Sequence, residues 1–182
     1  FAGLGAGVVE RFGASVTLLP GSKIFQALEL GSLDATEFSM PMIDQRMGFK
    51  KVAQYNLFPG WHAPANALYV FINADTWAET ADSTKALVKN VCRASTTISL
   101  SENEFRNGEV LQAYAEDDQV EIQEIPDDVL AKLREVSREV LQAEAEKDEN
   151  FARVWESQKT FMKSHRKWED LAHVPDDMRI TE

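Results

Sequence analysis

The sequence contains one cysteine, Cys92, in 182 residues. A lone cysteine excludes an intramolecular disulfide and a thiolate zinc cluster, and its neighbours Leu87, Val88 and Val91 make it read as a small apolar core residue. The compartment stays open on this count. No stretch approaches the ~18 consecutive apolar residues that a membrane-crossing helix needs. Basic residues are also in short supply, with 19 Lys and Arg against 30 Asp and Glu and a formal net charge of −11. Binding to phosphate backbones or anionic lipid draws most of its affinity from clustered Lys and Arg, so nucleic-acid and membrane-surface roles are disfavoured. A chain this acidic binds an anion only through a local set of donors, because its overall field does not help.

Catalytic signatures are equally sparse. His62, His165 and His173 stand at no His-x-His or His-x-x-x-His spacing that would support a metal site. His165 and His173 sit among charges and read as surface groups. Gly3, Gly5 and Gly7 form neither a phosphate-binding loop nor a dinucleotide fingerprint, and no Gly-x-Ser-x-Gly elbow is present. Hydrolase and kinase readings gain no support. Internal repeats and low-complexity segments are absent, and the charge run from Glu144 to Glu149 reads as a solvated helix end.

What is present is ordinary for a globular protein: 44% hydrophobic and 27% charged residues, enough for one domain or a little more. Leu4 to Phe12 carry apolar side chains at helical spacing, and Gly13 is placed to stop that helix. Ser15 to Leu19 is β-prone. Ser22 then caps a helix with Ile24, Phe25 and Leu28 on one face, ended by Gly31. Leu33 to Phe38 reads as a short strand, Ser39 to Asp44 with Pro41 as a loop, and Arg46 to Tyr55 as either helix or strand. Ala67 to Ile72, nearly continuous in apolar residues, predicts a central strand covered on both faces. Thr80, Asp82 and Ser83 offer caps for a long helix carrying Leu87, Val88, Val91, Cys92, Ile98 and Phe105 and reaching toward Tyr114. Val120 to Gln123 alternates as a half-exposed strand. Asp127 and Asp128 open a helix whose apolar face is Val129, Leu130, Leu133, Val136, Val140 and Leu141. A last helix carries Phe151, Val154, Trp155, Phe161, Met162, Trp168 and Leu171 along a stripe that needs a partner surface.

Two stretches suit a binding site. Asp34 and Glu37 lie near the end of a predicted strand, where α/β proteins place ligands, although a turn cap and a surface ion pair would explain them as well. The stiff segment Phe58-Pro59-Gly60-Trp61-His62-Ala63-Pro64-Ala65-Asn66 places an aromatic and an amide between predicted strands, which suits a small-molecule cleft. Trp61 would serve equally as a core plug.

The order of several segments resembles the second half of a TRAP-type periplasmic solute receptor, in the branch that binds 2-oxo acids and related monocarboxylates. These are Phe1-Ala2-Gly3, then Leu18 to Phe38 with its Ala27-Leu28-Glu29-Leu30-Gly31 and Asp34-Ala35-Thr36-Glu37-Phe38, then Gly48-Phe49-Lys50-Lys51-Val52-Ala53 and Phe58-Pro59-Gly60-Trp61. The likeness runs on through Phe151 to Gln158 and reaches Trp168. It implies an α/β, periplasmic-binding-protein-like fold whose two lobes close on a ligand, with the second lobe and the C-terminal helices represented here. Residues 1–66 would be part of the second lobe. Residues 67–126 would be a lobe-connecting strand, a long spanning helix and a return strand, and residues 127–182 the C-terminal helices.

The resemblance further implies a receptor and no enzyme: a periplasmic protein, made with a signal peptide in its full-length precursor, that hands a small organic carboxylate to TRAP membrane permease subunits. A homodimer paired through the C-terminal helix is implied too. Glu37 and the main-chain carbonyl of Phe38 would hold a sodium or calcium ion bridging protein and ligand, and Trp61 and Asn66 complete the ligand-binding set. Phe38 stands where the family usually has tryptophan, which keeps an aromatic wall and removes an indole donor. The arginine that grips the ligand's carboxylate in the family falls just before Phe-Ala-Gly, outside this sequence. The opening Phe1-Ala2-Gly3-Leu4-Gly5 accordingly reads as a piece of a longer receptor. The competing readings are a metal-dependent enzyme built on Glu37, Asp34 and His62 with Asp44 nearby, and a helical dimerisation module.

Overall fold

The computed structural model describes residues 3–63, 66–172 and 174. In chain order they form α1 (Gly3–Arg11), α2 (Gly21–Glu29), α3 (Pro41–Met47), a 3-10 turn (Phe49–Lys51), β1 (Tyr55–Phe58), α4 (Ala74–Glu79), α5 (Asp82–Ala115), β2 (Glu121–Glu124), α6 (Asp127–Lys147) and α7 (Glu149–Ala172). The described residues divide into two compact units, Thr17–Leu130 and Ala2–Val16 with Ala131–Glu182.

The first unit is built on a two-stranded parallel sheet in which Tyr55 pairs with Glu121 and Phe58 with Glu124. Glu121 N–H to Gln54 O at 2.8 Å and Ile125 N–H to Phe58 O at 2.6 Å extend the ladder at both ends. Parallel strands need a crossover, and α5 supplies it with 34 residues, a rod of about 51 Å. Near its C-terminal end Val110 and Tyr114 bury Met42 of α3, with Met40, Ile43 and Val120 around the edge. Asn107 Oδ1 accepts the Met42 N–H at 3.0 Å, which satisfies one of the amides that a helix start leaves without an internal partner.

Pro41 is the first residue of α3, where its missing N–H costs nothing and its fixed φ favours the helix. The expected loop from Ser39 to Asp44 is therefore mostly helix. Gly48, at φ 78°, ends α3 in the left-handed region, and the 3-10 turn that follows buries Phe49. Lys50 Nζ then bonds Asp117 Oδ2 at 2.8 Å, joining this turn to the residues after α5.

In the second unit Val8 of α1 and Leu133, Val136 and Val140 of α6 are buried. Gly7 faces Val140, and a Cβ added there would stand 3.7 Å from Val140 Cγ1, in ordinary van der Waals contact. On α7 Phe151, Ala152 and Trp155 are half-buried, while Val154, Phe161, Met162, Trp168 and Leu171 are exposed.

Three expectations are corrected. Residues 67–72 form no strand: Leu68 is 91% and Phe71 90% exposed, and no described strand lies beside them to accept a ladder. Ser15–Leu19 and Leu33–Phe38 are likewise unpaired among the described residues. Cys92 is exposed and not in a core, together with Leu87, Val91, Ile98 and Phe105. The long helix forms where its periodicity placed it, but its middle is not covered by any described residue. The structure also adds α4, whose start is capped by the Asn73 side chain accepting from Asp75 N–H at 3.0 Å and Thr76 N–H at 3.1 Å.

Candidate functional site

Gly31, at φ 66°, ends α2 in the left-handed region, and both the amide and the hydroxyl of Ser32 return to Ala27 O, at 2.9 and 3.0 Å. This turn reverses the chain and carries residues 33–40 back to the start of α2. There the Phe38 ring lies against Gly21 so closely that a Cβ on the glycine would meet Phe38 Cε2 at 2.7 Å. The ring also meets the buried Phe49, edge to face at 5.4 Å and 87°. The ring is thus committed to packing. The Phe38 carbonyl, in contrast, takes part in no hydrogen bond among the described residues, whereas the Glu37 carbonyl accepts from Thr36 Oγ1 at 3.2 Å.

The half-buried Glu37 points its Oε2 to within 3.6 Å of His62 Nε2. His62 comes from the loop after β1, and its ring lies 4.8 Å from that of Trp61 with a tilt of 47°. The fold thus brings Glu37, His62 and Trp61 together, with Phe38 adjoining along the chain. Asn66 and Asp34 are exposed, with no side-chain bond to this group among the described residues. Of the Glu37, Asp34 and His62 set, Glu37 and His62 are in contact, and Asp34 makes no side-chain bond to either among the described residues.

Asp44 is a fourth member. Burial, and next the charge of Glu37, push its carboxyl up to about 6 against the opposing help of the Ser39 N–H. Its Oδ1 is buried and accepts no hydrogen bond among the described residues. Asp44 also acts on Tyr114, whose phenol is raised first by burial and then by the charges of Asp44 and Asp117. An acidic residue framed by Met42, Ile43 and Met47 in a short helix after a proline was the available signal for Asp44.

The group offers hard oxygen donors, the Glu37 carboxylate and the Phe38 carbonyl, which suit sodium or calcium in kind. They are too few to complete a coordination shell, and no cluster of three or more His, Cys, Asp or Glu suited to a metal exists among the described residues. A separate open concavity of about 550 Å³, lined by Val70, Ile72, Trp77, Val88 and Cys92 among others, contains none of these residues.

The model of bacterial extracellular solute-binding protein, family 7, matches residues 2–148, and the chain belongs to that family. It is a family of solute receptors. Over 166 residues the chain is 29% identical to a monocarboxylate 2-oxoacid-binding periplasmic protein of Nostoc sp., covering 91% of this chain and 45% of that protein. A TRAP periplasmic solute binding protein from Colwellia psychrerythraea, solved with bound calcium and pyruvate, superposes with a TM-score of 0.85 at 26% identity, covering 93% of this chain and 52% of that one. A counterpart from Pseudoalteromonas atlantica, solved with sodium and pyruvate, gives a TM-score of 0.85 at 29% identity with the same coverage. The chain spans about half the length of these relatives and has the α/β periplasmic-binding-protein architecture of the part it matches.

Proposed function

We propose that this chain is the carboxylate-and-cation-binding part of a periplasmic receptor that collects a 2-oxo acid or related small monocarboxylate for TRAP-type uptake. One observation carries the reading: the site's charged core is Glu37 beside Asp44, with His62 as the basic side chain in contact with Glu37. Two carboxyl groups in a chain of net charge −11 repel an organic anion. A bridging sodium or calcium ion on Glu37 and the Phe38 carbonyl reverses that repulsion, and the Colwellia and Pseudoalteromonas proteins carry such ions together with pyruvate. Trp61 braces the loop, and Asn66 is proposed to reach the ligand when the cleft closes. The receptor binds and releases its ligand unchanged, delivering it to TRAP permease subunits after its precursor has been exported on a signal peptide.

Residues 1–66 are assigned to the second lobe, 67–126 to the connection between lobes and 127–182 to the terminal helices. The exposed apolar stretches at Leu68–Ile72 and Leu87–Phe105 support a connecting role, and the exposed stripe of α7 supports a homodimer paired through that helix. The test is calorimetry on the full-length gene product with pyruvate and longer 2-oxo acids, with and without sodium or calcium. Glu37→Ala is expected to weaken ligand binding at least about tenfold, the low end for losing a metal-linked group. Unchanged affinity would remove Glu37 from the site.

A further inference from the structure

We infer that the hollow between α3 and α5 is a docking site for an acidic protein segment, in which Arg46 and Arg106 grip a carboxylate side chain of the membrane permease subunits. The partner's identity rests on the receptor reading above; the hollow itself shares no residue with the Glu37 group. About 430 Å³ in volume, it is lined by Met42, Gln45 and Arg46 of α3 and by Arg106, Glu109 and Val110 of α5. Met42 and Val110 are buried in one cluster with Tyr114, and Asn107 Oδ1 holds the Met42 N–H at 3.0 Å. Two guanidinium groups from separate helices are thereby presented by one frame. Arg106 already holds a carboxylate here: its Nη1 donates to Glu109 Oε2 at 3.2 Å, with Glu102 Oε1 3.9 Å from its Nε. The Arg46 side chain makes no hydrogen bond or ion pair among the described residues. Its planar fork of donors matches a carboxylate, and the neighbouring Gln45 adds an amide.

A free metabolite fits this hollow poorly, because small-molecule sites bury most of their ligand's surface, whereas Gln45, Arg46, Arg106 and Glu109 are all exposed. An anionic membrane surface fits poorly too, since it is held by a broad basic field and this chain has a net charge of −11. A carboxylate on a protein segment needs neither enclosure nor a long-range field. The other contacts of the interface bring it to the arginines, and arginine is enriched among the residues that anchor interfaces. Glu109 competes for Arg106 in the unbound receptor, so the incoming carboxylate has Arg46 as its first partner and must share or take Arg106.

The experiment is surface plasmon resonance of the full-length gene product over immobilised permease subunits, in wild type, Arg46→Glu, Arg106→Glu and Glu109→Gln. Glu104→Gln, at an exposed acid on α5 outside the hollow, is the charge control, and calorimetry with pyruvate is run on each protein. Either arginine reversal is expected to weaken permease binding about tenfold or more and to leave pyruvate binding unchanged. Glu109→Gln releases Arg106 and should tighten permease binding, while Glu104→Gln stays close to wild type. Arginine reversals that bind the permease as wild type does, or equal gains from the two Gln variants, overturn the docking site and leave the receptor reading standing. A wild type that binds no permease overturns the docking site as well. A wild type that binds the permease through these arginines but takes up neither pyruvate nor a longer 2-oxo acid supports the docking site and overturns the ligand reading.

Discussion

Gly21 and Phe38 are packed against each other with no room for a side chain at position 21: an added Cβ would lie 2.7 Å from Phe38 Cε2. The contact joins the first turn of α2 to the segment that presents Glu37, and Phe49 closes the other side of the ring. Gly21→Ala must displace the Phe38 ring, costing about 1–3 kcal/mol as overpacking does. A lower urea midpoint together with weaker cation binding is expected, because the Phe38 carbonyl moves with its ring. A mutant that melts normally and binds normally would show that the ring can step aside freely.

Asp44 gives the protein a pH signature. Its folded carboxyl is raised from 3.8 to about 6, so the native state holds the proton more tightly than the unfolded chain does. Stability from this group is full at acid pH and is lost as pH rises through that window. Asp44→Asn should therefore raise the melting temperature at pH 7.5 and leave it unchanged near pH 4. Thermal denaturation across pH 4–8 without added cation reads the difference.

Lys50 and Asp117 behave in the opposite sense. The hydrogen bond from Lys50, and then the Gln119 N–H, hold the Asp117 carboxyl below its ordinary value. That contribution is present above the ordinary carboxylate range and disappears as pH falls through the lowered value. Lys50→Met should lower the melting temperature slightly at pH 7, with wild type and mutant converging in acid.

Gly48 adopts φ 78° between α3 and the 3-10 turn. A side chain there adopts the left-handed region at a cost of about 1 kcal/mol, so Gly48→Ala should reduce the unfolding free energy by about that amount. Equilibrium urea denaturation checks it.

The α7 stripe bears on assembly. Phe161 is 63% and Trp168 66% exposed. If this surface pairs two receptors, Phe161→Glu with Trp168→Glu should halve the mass seen by sedimentation equilibrium without affecting pyruvate binding.

Helices whose apolar faces meet inside this chain were legible. Leu133, Val136 and Val140 were read from their spacing and are buried, and Gly13 and Gly31, both at positive φ, end turns where a glycine was needed. Periodicity reports how apolar a face is and says nothing of what covers it. Ala67–Ile72 and the Leu87–Phe105 face therefore read as interior and are exposed. Asp44 entered only through the enzyme reading, and its segment read as a loop because of Pro41, although proline at a helix start is favourable. The contact of Glu37 with His62 crosses between two loops, and no local pattern encodes such a meeting.

The parallel pairing of Tyr55 with Glu121 also governs the order in which the first unit can fold. Closing a long flexible segment for so short a ladder is entropically costly, and a preformed α5 removes most of that cost by stiffening the connection. Local helix formation and the α3–α5 contact are then expected to precede the sheet. The ladder that frames His62 is accordingly expected to form after the α3–α5 contact and to open before it, so its amides, such as that of Glu121, should exchange with solvent sooner than those around Val110 and Tyr114.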